Sequence, residues 1–290
     1  MASRAQVPVR EPERVLLGLI GAGIQASRAP ALHEAAGAAI GRRLFYHLID
    51  AKILGFDVVD LPRLLDAVRW AGFAGVNVTH PFKEAVLPLL DEVDPLAARI
   101  GAVNTVTCRG QRLRGHNTDM AGFVMAWRET FERPPGTVVL LGAGGAGRAI
   151  AHGLAELGTS RLIVHDVVAG RAEAVARALC AHLPAEACGS DALAPAVASA
   201  DGIVNASPVG MHGHPGTPLP TAWLRAGAWL ADAVYTPVET PLIVAARAAG
   251  LAVMTGDGLC VHQAAAAFRL FLDQPADIDV MRAVMGTDTR

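Results

Sequence analysis

A surplus of charge of one sign is missing from this chain: 25 lysines and arginines face 27 aspartates and glutamates over 290 residues, a formal charge of −2. Without a basic field, neither a nucleic-acid backbone nor an anionic membrane surface has anything to hold, and both are excluded as partners. Cysteine is scarce too. Cys108, Cys180, Cys188 and Cys260 contain no CxxC pair and no recurring spacing, so a zinc ribbon or a disulfide framework lacks its ligands. The four are expected as buried thiols in a reducing compartment. No apolar run is long enough to cross a bilayer, since 15–24 is short and interrupted by glycine, and the Arg-, Pro- and Glu-rich residues 1–13 contain no apolar h-region. The expectation is a cytoplasmic protein with a frayed N-terminal arm. A repeat of solenoid period is absent as well. Core material, by contrast, is abundant, with 52% hydrophobic residues against 18% charged, which excludes disorder for the bulk of the chain. The length favours two domains, because single cores stop growing at roughly 250 to 300 residues.

Apolar runs set the order of elements. Val15 to Ile20 reads as a buried strand, an apolar helix starts near Pro30 with Leu32, Ala35, Ala36 and Ile40, and Phe45 to Ile49 gives a second strand. Pro62 to Trp70 follows as a helix with proline at its start, then Gly75 to Thr79 as a third strand. The order βαβαβ predicts a parallel sheet with helical crossovers. After the helix that follows Asp119 and the Arg133-Pro134-Pro135-Gly136 break, strands are predicted at 137–141, 162–165, 202–205, 229–232 and 251–254, with helices between them. The fold class is therefore α/β in two α/β domains, the first mainly parallel and the second of Rossmann type.

The second domain opens on Gly142-Ala-Gly144-Gly145-Ala146-Gly147, directly after a strand and at the start of a helix. In that context the first glycine permits the tight turn, the second lets backbone approach a pyrophosphate, and the third lets helix and strand pack closely. The anion sits at the positive helix end. Asp166 lies nineteen positions after Gly147, close to the spacing of a carboxylate that accepts ribose hydroxyls. Such a carboxylate repels a 2′-phosphate, so NAD is the expected cofactor. Arg171 stays a second candidate contact, within reach of a phosphate.

The first domain carries Asn77-Val-Thr79-His80-Pro81-Phe82-Lys83, Asn104-Thr105 and Asn117-Thr118-Asp119. In this order and spacing, and over about Leu17 to Phe271, the chain resembles the shikimate dehydrogenase family. Ser27-Arg28-Ala29-Pro30 followed by His33-Glu34 is most similar to its NAD-using quinate/shikimate branch. Taken alone, Lys83 would be an exposed lysine in the first turn of a helix begun by Pro81, and Asp119 the N-cap of the helix at 120–127. The resemblance makes them the catalytic pair. It implies that Asn104 and Asp119 bind ring hydroxyls, that Thr79 lines the substrate pocket, and that Ser27 binds the substrate carboxylate. It also places Gln263 on a helix returning to the first domain, giving a substrate domain of 1–119 plus 257–290 and an NAD domain of 120–256.

Further matches are Asn205-Ala-Ser207-Pro208-Val-Gly210-Met211, the loop beside the nicotinamide, and Asp232-Ala-Val-Tyr235-Thr-Pro237, whose tyrosine lies near the substrate carboxylate. A core tyrosine at a strand end is an equal alternative for Tyr235. Gly256 belongs with the cofactor contacts. His212 and His214 read as solvent-facing, and no metal site is expected. Arg28 reads as a solvated loop residue. Lysine starts near ~10.4, so Lys83 acts either as a base lowered by its surroundings or as a cation that stabilises the developing alkoxide. Ala29 departs from the family's hydroxyl residue, a loss of about 1–3 kcal/mol in carboxylate binding unless another donor replaces it, or else room for an extra substrate hydroxyl. The implied activity is NAD-dependent oxidation of quinate or shikimate, polyhydroxylated cyclic carboxylates, by a chain that could form a homodimer. An aminated analogue as substrate, or a non-catalytic NAD-binding regulator, remain alternatives.

Overall fold

A computed structural model describes residues 14–286, and the N-terminal arm at 1–13 lies outside the described residues. Two six-stranded sheets organise them. In the first, β1 (Arg14–Gly21), α1 (Ala29–Ala39), β2 (Arg43–Asp50), α2 (Ala51–Leu54), α3 (Leu61–Trp70) and β3 (Gly75–Val78) form the expected parallel crossovers, with β1 between β2 and β3. Central β1 is almost continuously apolar, as a strand covered on both faces requires. Helix α3 buries Leu61, Leu65 and Val68, one stripe at helical spacing, and leaves its charged residues outside.

The sheet, mainly parallel as expected, then takes in an antiparallel hairpin. After β4 (Glu92–Val93) and α4 (Pro95–Ile100), the strands β5 (Thr105–Arg109) and β6 (Arg112–His116) form a hairpin around Gly110-Gln111, and β5 pairs antiparallel with β3. The sheet is mixed, in the order β2-β1-β3-β5-β6-β4.

Helix α5 (Asp119–Thr130) leads into β7 (Thr137–Leu141), α6 (Gly145–Glu156), β8 (Arg161–His165), α7 (Arg171–Leu179), β9 (Ala185–Ala187), α8 (Ser190–Ser199), β10 (Gly202–Asn205), β11 (Trp229–Asp232), α9 (Pro241–Ala248) and β12 (Ala252–Met254). All pairs in this sheet are parallel, ordered β12-β11-β10-β7-β8-β9, with the order reversing at β7 and β10. That reversal is where an open α/β sheet binds its ligand. The 133–135 link is held by two indoles: Trp127 Nε1 donates to the Arg133 carbonyl at 3.3 Å and Trp229 Nε1 to the Pro135 carbonyl at 3.0 Å. Helix α10 (Gly256–Leu272) leaves the second sheet and packs along α5 and against α1, with α11 (Ile278–Gly286) on α1 and α10.

Three cysteines are buried, whereas Cys180 is exposed, contrary to expectation, at the end of α7. No helix among the described residues is long and apolar enough to cross a membrane.

Candidate active site

Because β5 runs antiparallel to β3, the residues just past β3 and just before β5 meet at one end of the first sheet. Lys83 sits in this corner, in a turn rather than the helix that Pro81 suggested. Buried Phe82 anchors one side of the turn, and the Val103 N–H donates to the Lys83 carbonyl at 2.8 Å on the other. Its side chain is 13% exposed, and Nζ lies 2.5 Å from Asp119 Oδ2.

Asp119 is not an N-cap, the reading it would have had taken alone. It is the first residue of α5, and Asn117 Oδ1 accepts the Asp119 and Met120 N–H groups at 3.1 and 3.3 Å. The capping work falls to Asn117, leaving the carboxylate of Asp119 to Lys83 and Asn104. Its Oδ1 accepts Asn104 Nδ2 at 2.8 Å, and the same amide nitrogen lies 2.9 Å from Thr118 Oγ1 and 3.5 Å from Gln263 Oε1 on α10. Asn104 is locked from behind: its Oδ1 accepts the Thr118 N–H and the Thr105 hydroxyl. Asn77 ties the network to the sheet, donating to the Asn104 carbonyl and Thr105 Oγ1 and accepting the Tyr46 hydroxyl at 2.8 Å. Buried polar groups bonded this completely hold one geometry.

The loop after β1 brings Ser27 beside Tyr235, which follows β11 of the other sheet. Burial pushes the Tyr235 hydroxyl up, so it stays a neutral donor. Ala29 donates its N–H to Ser27 Oγ at 3.3 Å, and its methyl packs into the apolar cluster that includes Tyr235. Thr79 flanks the start of this loop, its methyl lying 2.4 Å from where a Cβ on Gly21 would stand. Asp50 was missed by sequence reasoning. It grips the loop through the Gly23 and Ile24 N–H groups at 2.7 and 2.9 Å and the Gln25 amide at 3.1 Å. A carboxylate at the end of a strand in an open α/β sheet was the available signal. Arg28 is likewise not solvated; it is half-buried and donates to the Val284 carbonyl at 2.5 Å.

The glycine loop follows β7. A Cβ on Gly147 would stand 2.0 Å from the Gly142 carbonyl oxygen, and Gly142 itself holds a φ of +98°, so neither tolerates a side chain. Gly145 and Ala146 open α6, whose free N–H groups and dipole suit a diphosphate. A Cβ on Gly145 would be 3.0 Å from Lys83 Cβ, so the lysine abuts this loop. Arg171 Nη1 stands 3.9 Å from the corresponding point on Gly144. Asp166 Oδ2 accepts the Ala143 N–H at 2.6 Å and its Oδ1 the Val168 N–H at 2.7 Å. This donor set fits a dinucleotide, with the helix end for the diphosphate and Asp166 for ribose hydroxyls.

At the end of β11, buried Asp232 joins two loops: it accepts Asn205 Nδ2 at 2.9 Å, the Val234 N–H at 3.0 Å and the Thr240 hydroxyl at 2.7 Å. Burial raises its carboxyl, opposed by those three bonds. Asn205 Oδ1 in turn accepts the Ser207 hydroxyl at 2.6 Å. Gly256 packs closely here, since a Cβ on it would stand 2.3 Å from the Val234 carbonyl. His212 and His214 are exposed. Among the described residues no group of three or more His, Cys, Asp or Glu is placed to hold a metal ion.

Comparison with known proteins gives this geometry a lineage. Residues 19–106 match the shikimate dehydrogenase substrate binding domain, and 261–285 the shikimate 5′-dehydrogenase C-terminal domain. A quinate/shikimate dehydrogenase (NAD(+)) of Corynebacterium efficiens is 46% identical over 276 residues, 93% of this chain and 97% of that one. A shikimate dehydrogenase (NADP(+)) of Streptomyces avermitilis is also 46% identical, over 90% of this chain and 91% of its own. Among solved structures, quinate dehydrogenase from Corynebacterium glutamicum in complex with NAD superposes with a TM-score of 0.86 at 43% identity, covering 94% of this chain and 98% of that one. The chain belongs to the shikimate dehydrogenase family.

Proposed function

We propose that this protein is an NAD-dependent dehydrogenase that oxidises quinate to 3-dehydroquinate, shikimate to 3-dehydroshikimate, or both, at the C3 hydroxyl. The observation that carries the reading is the Lys83–Asp119 pair at 2.5 Å, with Lys83 abutting the glycine loop. Binding alone has no need of a proton-handling pair at that junction. Lys83 accepts the hydroxyl proton or, as a cation, stabilises the developing alkoxide, and Asp119 with Asn104 orients the ring hydroxyls. Ser27 and Tyr235 hold the substrate carboxylate, Thr79 and Gln263 its flanks.

NAD, when bound, supplies the hydride acceptor. Gly142, Gly144, Gly145, Ala146 and Gly147 would cradle its diphosphate, Ser207 and Gly256 border its nicotinamide, and Asp166 and Arg171 its adenosine end. Identity does not decide between NAD and NADP, because relatives naming either cofactor reach the same 46%. Asp166 does favour one: a fixed carboxylate accepts ribose hydroxyls and repels a 2′-phosphate. The substrate domain comprises 1–119 with 257–290 and the NAD domain 120–256. A cytoplasmic location and a homodimer belong to the same proposal, tested by cell fractionation and light scattering.

The decisive assay is initial-rate NADH or NADPH formation from quinate, shikimate and aminoquinate, each with NAD and NADP. Lys83→Ala should lower kcat by about 10²–10⁴-fold while NAD affinity, read by fluorescence titration, changes little. An unimpaired variant would remove Lys83 from the chemistry, and a wild type inert on every acid would end the dehydrogenase reading.

A further inference from the structure

We infer that Arg28 and helix α11 form a strut that sets the substrate-carboxylate loop against the two helices bearing Asp119 and Gln263; this rests on the dehydrogenase reading above. The loop from Ala22 to Arg28 has two anchors. Asp50 holds its beginning, through Gly23, Ile24 and Gln25. Its end is held by Arg28, whose guanidinium donates to the carbonyl of Val284 at 2.5 Å. Val284 lies toward the C-terminal end of α11, where the helix dipole favours a cation.

The other end of the strut is equally defined. Met281 of α11 is fully buried against α1 and α10, and Arg282 forks onto both carboxylate oxygens of Glu129 at 2.6 Å each. Glu129 stands on α5, the helix that begins with Asp119, and also meets His262 Nε2 at 2.9 Å. His262 precedes Gln263 on α10. One continuous set of contacts therefore runs from Ser27 through Arg28, α11 and Glu129 to the helices that carry Asp119 and Gln263. Arg28 is a positioning residue in this arrangement, because it acts on Ser27 through the loop.

Arg28→Met and Arg282→Met, singly and together, test the strut. Each should raise KM for the acid by roughly 3- to 10-fold, with kcat and KM for NAD held within about 2-fold. The double variant should be no worse than the worse single one, since both cut the same connection. Arg28→Lys, which can still donate to the Val284 carbonyl, should recover part of the loss. A raised KM in the Arg28 variants with Arg282→Met unchanged would mean that Arg28 meets substrate itself, and the strut fails. It fails too if both variants only lower the melting temperature. Amide hydrogen exchange over 22–28 in Arg282→Met gives a readout that needs no turnover: faster exchange is expected, and unchanged exchange overturns the strut. A wild type without turnover would thus sink the dehydrogenase reading while exchange still judges this one.

Discussion

Each sheet clasps the loop after its first strand with a carboxylate from the end of its second, and the two carboxylates differ in how far they are used. Asp50 ends β2 and binds the loop after β1; Asp166 follows β8 and binds the loop after β7. Both also accept the N–H two residues ahead, of Lys52 and Val168. A carboxylate has about four acceptor sites. Asp50, 2% exposed, uses its capacity on four protein donors: Gly23, Ile24, Gln25 and Lys52. Asp166, half-buried, has two such bonds. The same local device is thus a saturated clasp in the first sheet and a half-used one in the second, with acceptor capacity left for the ribose hydroxyls proposed above.

The largest effect on this contrast should come from Asp50→Asn. Burial opposes ionisation of Asp50, yet the bonds from Gly23, Gln25, Lys52 and Ile24 outweigh it and hold the carboxyl below its ordinary value. An amide nitrogen in place of one oxygen strands buried N–H groups, a cost of about 2–3 kcal/mol. Calorimetry should show that loss together with a raised KM for the acid and an unchanged NAD affinity. If NAD affinity falls in step, the two halves do not act separately. The depressed carboxyl also fixes a sign: its stabilisation is complete above the ordinary carboxylate value and disappears as pH falls through the lowered folded value.

Acid should strike the substrate half through His33 as well. Its ring is fully buried, has no hydrogen-bond partner, and stacks 4.9 Å from Tyr46, whose hydroxyl holds Asn77. Burial lowers it from 6.5 to about 3. The unfolded chain takes up a proton near 6.5 that the folded one refuses until about 3, so stability is full above 6.5 and falls between those values. Between pH 7 and 5 the loss is about 2 kcal/mol. His80, His116 and His152 are lowered in the same direction, each first by burial. His33→Phe should remove the greater part of the slope when unfolding is followed in urea at the two pH values; an unaltered slope would move the acid sensitivity elsewhere.

How much of this was legible in the sequence follows the same divide. The crossovers and the glycine loop announce themselves through period and spacing, signals confined to short stretches of chain, whereas Lys83 and Asp119, 36 positions apart, were paired only through the family resemblance. The β5–β6 hairpin did not announce itself, because its residues, from Thr105 to His116, are interleaved with motif positions and its turn is the plain pair Gly110-Gln111. The cap reading that Asp119 invites on its own fails because Asn117, two residues earlier, supplies the capping oxygen. Asp50 was passed over although its place at a strand end was a signal, and Arg28 was read as solvated because its partner lies 256 positions away, a distance at which no local pattern exists.

The smallest expected effect is the one that tests the contrast most directly. Asp166→Asn keeps an oxygen for one of the two N–H groups and leaves the other in a half-exposed position where water replaces it, so stability should shift by less than about 1 kcal/mol. What the amide cannot do is accept two ribose hydroxyls or repel a 2′-phosphate. NAD affinity should fall about tenfold, and the preference for NAD over NADP should narrow by at least as much, with KM for the acid unchanged. Titration of wild type and variant with both dinucleotides measures this. If NAD affinity holds, Asp166 is a clasp of the same kind as Asp50, and selection between the cofactors passes to Arg171 beside Gly144, whose guanidinium would then be the charge that a 2′-phosphate meets.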